Sequence, residues 1–352
     1  MVSSQKYLII LPSSDFGGLA SLSASLANGI QDRGFQVCLI SLYSRVSGKT
    51  RSIRELTLSR APKETLLGKI SNLLVRSIRL RRFLRRERPD YVICLDPVSL
   101  LLTLIAGNRS GFKTVGACYT PLNLLTRRDK FLIRRIFPFA DFVVSPSFAM
   151  SSEITSLNRR LIPRIIPNPL PFDSTFCPLN YSTSKSTLQV HFLGRLSAEK
   201  GLRKFLEIAK ARPSFDFVVS GDGPDHSLMN EYNLANVRFN GWVSSAACLT
   251  DADLLIVPSL FESFGIVVLE AWIHGVPVLT SVNAKGPSEL VYENNLGDVV
   301  LNPENLSEWL EKLEALIYTR LSDEEMARVI NKYSEYSVTS RWIEMLDAAE
   351  MP

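Results

Sequence analysis

Short apolar runs alternate with stretches of three-and-four spacing along most of this chain, the pattern of strands interleaved with helices. In the first half, apolar runs at residues 7–11, 36–42, 91–95, 113–117 and 142–145 predict strands. A helical stretch from residue 19 to about 33 is stopped by Gly34, and a loop ending in Gly17 and Gly18 joins it to the first strand. Strand, glycine loop, helix and strand in that order imply a parallel sheet with a right-handed crossover. The long apolar run 91–106 is broken by Asp96 and Pro97, so it reads as a buried strand followed by a helix. Ser147 is placed to cap a helix through Ile154, and a run at 161–166 ends at Pro167-Asn-Pro169.

A second series begins at residue 188. Strands are predicted at 188–193, 215–219 and 254–257, with a turn and strand at 275–279 and a loop at Gly286-Pro-Ser-Glu289. Leu202, Phe205, Leu206, Ile208 and Ala209 mark the buried stripe of a helix, and further helices fall at 306–318, 323–333 and 338–349. With 352 residues, two domains are expected. They run from 1 to 170 and from 188 to 335, joined by a Pro-, Ser-, Thr- and Asn-rich linker at 171–187, with 336–352 as a final helix.

At 46% hydrophobic and 21% charged residues, the composition is that of a globular chain and excludes a disordered one. Five cysteines, with no C-x-x-C pair, point to a reducing compartment and to neither a disulfide framework nor a zinc site. The first apolar run is too short for the core of a secretion signal, so a cytoplasmic, soluble protein is expected.

Charge is divided unevenly. Residues 1–180 carry 26 Lys and Arg against 11 Asp and Glu, whereas 181–352 carry 14 against 24. The densest basic stretch, 66–88, sets Leu67, Ile70, Leu74, Ile78 and Leu84 at helical spacing among Lys69, Arg76, Arg79, Arg81, Arg82, Arg85, Arg86 and Arg88. A second basic cluster follows at 127–135. Basic amphipathic helices of this kind attract anionic membranes, so peripheral attachment to the inner face of a membrane is expected. Nucleic acid is not an expected partner, because the basic stretches lack interleaved stacking aromatics.

The candidate chemistry lies in the second half. Glu262 and Glu270 frame Ser263-Phe-Gly-Ile266 directly after the apolar run 254–257. A strand end, a short loop and a helix opening near Phe264 would bring free backbone amides and two carboxylates together. Amides at a helix start suit an anionic group, whereas carboxylates accept hydrogen bonds from sugar hydroxyls. That pairing implies a ligand made of a sugar and a diphosphate. Upstream, Gly194-Arg195 and Lys200 occupy the predicted loop between strand 188–193 and its helix, where two cations can meet one anion. Gly221 and Gly223 follow the strand 215–219, and Trp242 and Val243 close the segment Phe239-Asn-Gly-Trp-Val243.

These segments together resemble the E-x7-E signature and the Arg and Lys pair of retaining GT4 glycosyltransferases, over about residues 188–300. The resemblance implies an α/β, GT-B architecture: two Rossmann-like domains with parallel sheets facing across a cleft, and a last helix that returns to the first domain. It implies Arg195, Lys200 and Glu262 as catalytic groups. Substrate contacts are implied at Gly17, Gly18, Gly194, Gly221, Gly223, Trp242, Val243, Ser263, Phe264, Gly265, Ile266 and Glu270. The segment holding Trp242 resembles the part of the family that lies against the nucleotide base, and Glu270 resembles the carboxylate that binds ribose hydroxyls.

The implied reaction moves a sugar, with retention, from a nucleotide-diphosphate-sugar to a hydroxyl of a glycan or lipid-linked acceptor in cell-surface polysaccharide or glycolipid assembly. Arg195 and Lys200 would steady the departing diphosphate, and no metal or other cofactor is required. The first half matches the family mainly in layout. All three histidines, His191, His226 and His274, lie in the second half, so the histidine that many family members carry in the first domain is missing. Tyr119, Thr120 or Asn123 stand in that region as candidates for sugar or acceptor contact. A non-catalytic nucleotide-sugar-binding subunit and a sugar-nucleotide epimerase of the same fold remain as alternatives.

Overall fold

The computed structural model describes residues 5–12, 18–42, 53–58, 66–107, 111–170, 188–297 and 299–348, without the side chains of 66–73. Gly17, Asp298 and the predicted linker 171–187 lie outside the described residues. Two compact units divide the chain: residues 1–172 with 335–352, and residues 173–334.

In the first unit, β1 (Lys6–Leu11), β2 (Gln36–Ser41), β3 (Arg54–Thr57), β4 (Tyr91–Cys94), β5 (Lys113–Ala117), β6 (Phe142–Ser145) and β7 (Arg164–Ile165) form one sheet. Its order is β3-β2-β1-β4-β5-β6-β7, and every pairing is parallel. The connecting helices are α1 (Gly18–Gln31), α2 (Leu66–Glu87), α3 (Pro97–Ala106), α4 (Arg127–Ile136) and α5 (Phe148–Leu157). Strand β1 shows why the sheet strands read as unbroken apolar runs. Leu8 and Ile10 pack with residues of α2, α3, α4 and α5, while Tyr7, Ile9 and Leu11 pack with α1 on the other face.

The second unit holds β8 (Gln189–Leu193), β9 (Asp216–Ser220), β10 (Val237–Gly241), β11 (Leu254–Val257), β12 (Val278–Ser281) and β13 (Val299–Leu301) in the order β10-β9-β8-β11-β12-β13, again all parallel. Its helices are α6 (Leu202–Ala211), α7 (Leu228–Tyr232), α8 (Ser245–Leu249), α9 (Ile266–Ile273), α10 (Lys285–Asn294), α11 (Leu306–Leu316) and α12 (Asp323–Tyr333). All five residues of the predicted α6 stripe are buried, from Leu202 to Ala209. They share a core with Val190, Phe192, Phe217, Val219, Leu254 and Ile256 of the sheet and with Trp309 and Leu313 of α11. A last helix, α13 (Glu335–Asp347), belongs to the first unit, where Trp342, Met345 and Leu346 join the core that holds α1. Arg33 fastens this packing, with its guanidinium 4.1 Å from the centre of the Tyr336 ring and bonded to Ser340 Oγ at 2.6 Å.

Three local readings change. The segment Gly286-Pro-Ser-Glu289 is the opening of α10 rather than a loop, because proline is tolerated in a first helical turn where its missing N–H costs nothing. Strand β3 carries a single large apolar residue, Leu56, so nothing in its pattern announces it; it exists because it pairs along β2 at the sheet edge. On α2 the face against the sheet is Arg76, Ser77, Leu80 and Leu84, and the predicted apolar positions Leu74 and Ile78 point outward. Spacing of four from Arg76 through Leu80 to Leu84 sets that face, with the buried Arg76 included in it.

Candidate functional site

In the second sheet the strand order reverses between β8 and β11, which lie side by side with Leu254 opposite Val190 and Leu255 opposite His191. Open parallel sheets bind ligands outside the carboxyl ends of their strands at such a reversal. The loop leaving β8 carries Gly194, Arg195 and Lys200, and the loop leaving β11 carries Glu262 and Gly265. The topology alone therefore makes these two loops neighbours.

Specific contacts fasten them. Leu260 donates its backbone N–H to the Glu199 carbonyl at 2.8 Å. Gly201, at φ +75°, lies so close to Pro258 that an added Cβ would stand 2.2 Å from its carbonyl oxygen. Lys200 Nζ and Glu262 Oε2 form a hydrogen-bonded ion pair, with side chains 29% and 16% exposed. From the other side, the Glu262 carbonyl accepts the Gly286 N–H at 3.1 Å. Gly265 caps α9 at φ +93°, a left-handed conformation that favours glycine, and leads into the first N–H groups of that helix, which no helix satisfies internally.

Arg195 shares the loop but not the pair. It is exposed, its carbonyl accepts the Ser197 N–H at 3.0 Å, and among the described residues its guanidinium makes no hydrogen bond or ion pair. Glu199, which the sequence reading passed over, sits between the two cations. Partial burial pushes its carboxyl upward, but the Ser197 hydroxyl at 2.6 Å, a backbone N–H and the fields of Arg195 and Lys200 outweigh this and hold it below the usual value. The signal for it was present, since Glu199, Lys200 and Gly201 are consecutive.

The glycines after β8 and β9 form a close-packed floor. A Cβ on Gly221 would stand 1.8 Å from the Gly194 carbonyl, and one on Gly223 would stand 2.3 Å from that of Leu196. Only glycine permits so close an approach. Trp242 follows β10 and is 74% exposed, with Val243 half-buried beside it. Ser263 is buried, and so is the Phe264 ring, which meets Tyr333 edge-on at 6.2 Å and leaves only the Phe264 backbone for a ligand. Ile266 is half-buried at the start of α9. Glu270, one turn further, accepts the Ser245 hydroxyl at 2.7 Å. In the first unit, Gly18 is exposed at the start of α1.

Two of the three histidines, His274 and His191, hold structure, while His226 is exposed beside the Phe239 ring. His274 Nδ1 bonds the Glu270 carbonyl at 2.8 Å, and the buried His191 lies 3.3 Å from both Cys248 Sγ and Gln189 Oε1. In the first unit, Thr120 and Asn123 are exposed, whereas the Tyr119 hydroxyl is buried and has no hydrogen-bond partner among the described residues. Among the described residues, no group of three or more His, Cys, Asp or Glu side chains is gathered as metal ligands would be. No described helix is long and apolar enough to cross a membrane.

The family model described as "Glycosyltransferase Family 4" matches residues 16–173, and that described as "Glycosyl transferases group 1" matches residues 181–335. The 2-deoxystreptamine N-acetyl-D-glucosaminyltransferase of Niallia circulans is 30% identical over 49% of this chain, and the match spans only 46% of that relative. The lipopolysaccharide core biosynthesis glycosyltransferase LpsE of Rhizobium meliloti is 23% identical over 94% of this chain and 96% of its own length. Among solved structures, Anabaena Alr3699/HepE in complex with UDP-glucose superposes with a TM-score of 0.77 at 18% identity, over 97% of this chain and 99% of that one. Two matched halves, each built on a parallel sheet of Rossmann type, place the chain in the group 1, family 4 glycosyltransferases of GT-B fold.

Proposed function

We propose that the chain transfers a sugar from a nucleotide-diphosphate-sugar to a hydroxyl of a glycan or lipid-linked acceptor, with retention of anomeric configuration, in the assembly of a cell-surface polysaccharide or glycolipid. The observation that carries this reading is the meeting of Lys200 with Glu262 at the reversal point of the second sheet, on the loop that also bears the exposed Arg195. Two cations and a carboxylate on interlocked loops suit a ligand that is anionic at one end and hydroxylated at the other. Arg195 and Lys200 draw off the negative charge that grows on the diphosphate as the glycosidic bond breaks. Glu262 holds sugar hydroxyls, the first amides of α9 meet phosphate or sugar, and Glu270 binds ribose.

Retention follows where the departing diphosphate itself takes the acceptor's proton on the face it leaves. The scheme needs no metal and no general base from the protein. The name of LpsE, which the chain matches nearly end to end, supports a lipopolysaccharide-like product. The basic first unit supports an acceptor held at an anionic membrane surface.

A thermal-shift panel of nucleotide-sugars with wild type and Glu262→Ala tests the donor side. One donor series should raise the wild-type melting temperature and raise that of the variant by less. Transfer by that donor, read by NMR at the new anomeric centre, should give the donor's configuration; an inverted product sinks the retaining mechanism.

A further inference from the structure

Donor and product diphosphate differ at this site only by the sugar, and the Lys200 ammonium occupies the Glu262 oxygen that sugar hydroxyls would use. We infer that the Lys200–Glu262 ion pair makes the site select intact nucleotide-sugar over free nucleoside diphosphate, an inference that rests on the donor reading proposed above. Lys200 and Glu262 satisfy each other in a partly shielded setting, at 29% and 16% side-chain exposure. A diphosphate that recruits Lys200 competes with Glu262 for its ammonium.

What happens to Glu262 then depends on the ligand. A free diphosphate offers it no donor and adds like charge nearby, so a half-buried carboxylate is left uncompensated. An intact donor brings hydroxyls that replace the lost ammonium. The loop cannot relieve the problem by retreating, because Leu260 is bonded to Glu199, Pro258 is packed on Gly201 and the Glu262 carbonyl is bonded to Gly286. Arg195, outside the pair, attracts both ligands alike and adds affinity without selectivity. Once the sugar has left, re-forming the pair displaces the product, so the contact opposes product inhibition.

Calorimetric titration of wild type, Glu262→Gln, Lys200→Gln and the double variant with UDP, UDP-glucose, GDP, GDP-mannose and inorganic pyrophosphate tests this. Wild type should prefer one nucleotide-sugar to its own diphosphate. In Glu262→Gln, pyrophosphate and that diphosphate should bind about fivefold tighter and the nucleotide-sugar more weakly, moving the Kd ratio by roughly tenfold or more. In the Lys200→Gln background the same change should move diphosphate affinity less than about twofold, because the competition is gone. Glu262→Asp, which keeps the charge and shortens the reach, should fall between wild type and Glu262→Gln and serves where the amide variant melts early.

Unchanged or weaker diphosphate binding by a folded Glu262→Gln overturns the selectivity inference while nucleotide-sugar binding to wild type preserves the donor reading. Failure of every ligand to bind wild type overturns both.

Discussion

The backbone N–H of Leu260 donates to the carbonyl of Glu199 at 2.8 Å, so the loop bearing the two cations holds the loop bearing Glu262 through the main chain as well as through charge. Gly201 is the hinge of that arrangement. At φ +75°, with the Pro258 carbonyl where its Cβ would be, Gly201→Ala combines left-handed strain with a backbone collision. A loss of about 1–3 kcal/mol is expected, with weakened donor binding. Gly34→Ala is the control, since Gly34 has φ +83° but open space around it, and should cost only about 1 kcal/mol. Equal losses in chemical denaturation would show that backbone conformation alone, not interlocking of the loops, is at stake.

Arg195 is exposed and, among the described residues, makes no ion pair, so removing it costs little folding energy. In the proposed mechanism its contribution is to charge that develops during the reaction. Arg195→Ala is therefore expected to lower kcat by about 10²- to 10³-fold with a melting temperature close to wild type. A variant that keeps kcat and raises only KM would reassign Arg195 to ground-state binding.

The sheets were legible in the sequence wherever a strand is buried on both faces, as in β1, β4 and β11, because five or so consecutive apolar residues admit few other readings. Asp96 and Pro97 were legible as punctuation for a like reason: the Asp96 carboxylate accepts the Val98 and Ser99 N–H groups at 2.8 and 3.1 Å and caps α3. Strand β3 was not, since an edge strand stabilised by one neighbour needs no apolar pattern. The orientation of α2 was missed because Arg76 is buried, and helical spacing alone ranks Leu74 and Ile78 above it. At the site, Arg195, Lys200 and Glu262 were visible as residue types at loop positions. Pairing of Lys200 with Glu262 was not, because spacing along a chain does not say which charges meet.

Tyr119 follows β5 with its hydroxyl buried and, among the described residues, unbonded, an arrangement that costs stability. Tyr119→Phe should leave the melting temperature unchanged or raise it, by up to about 1 kcal/mol in unfolding free energy. If that hydroxyl receives an acceptor group during turnover, the same variant loses transfer while keeping donor binding. Tyr119→Phe with lower stability would mean that the hydroxyl has a partner in solution.

Three thiols of the first unit give a pH signature. Burial pushes Cys38 up to about 11 and both Cys94 and Cys118 up to about 12, from an ordinary value of 9.0. A raised folded-state value means that the unfolded chain releases these protons first, so the stability they contribute is whole below pH 9 and is lost as pH rises towards 11 and 12. Melting temperature should therefore fall through that window, and less steeply in Cys94→Ala compared at equal starting stability. Rapid labelling of all three by a thiol reagent at neutral pH, in folded protein, would contradict their burial.

The outward face of α2 presents Leu74, Val75 and Ile78, 59%, 41% and 52% exposed, and continues into exposed Arg81, Arg82, Arg85 and Arg86. Helix α3 packs on α2 and α4 packs on α3, so the exposed Ile105 and Phe131 and the exposed Arg127, Arg128, Arg134 and Arg135 share the side of the sheet that these helices cover. Apolar side chains beside arginines match an anionic lipid surface, where each basic residue contributes about 1 kcal/mol and the apolar ones enter the headgroup layer. Neutralising Arg81, Arg82, Arg85 and Arg86 together should cut sedimentation with phosphatidylglycerol-containing vesicles at least tenfold, roughly, given that scale. Raising the salt should have the same effect on wild type, since exposed charges are screened. Leu74→Ser with Ile78→Ser should weaken the same binding with less dependence on salt. Sedimentation that is equal for wild type and the four-arginine variant would remove the membrane from the proposed function and leave a soluble glycan as the acceptor.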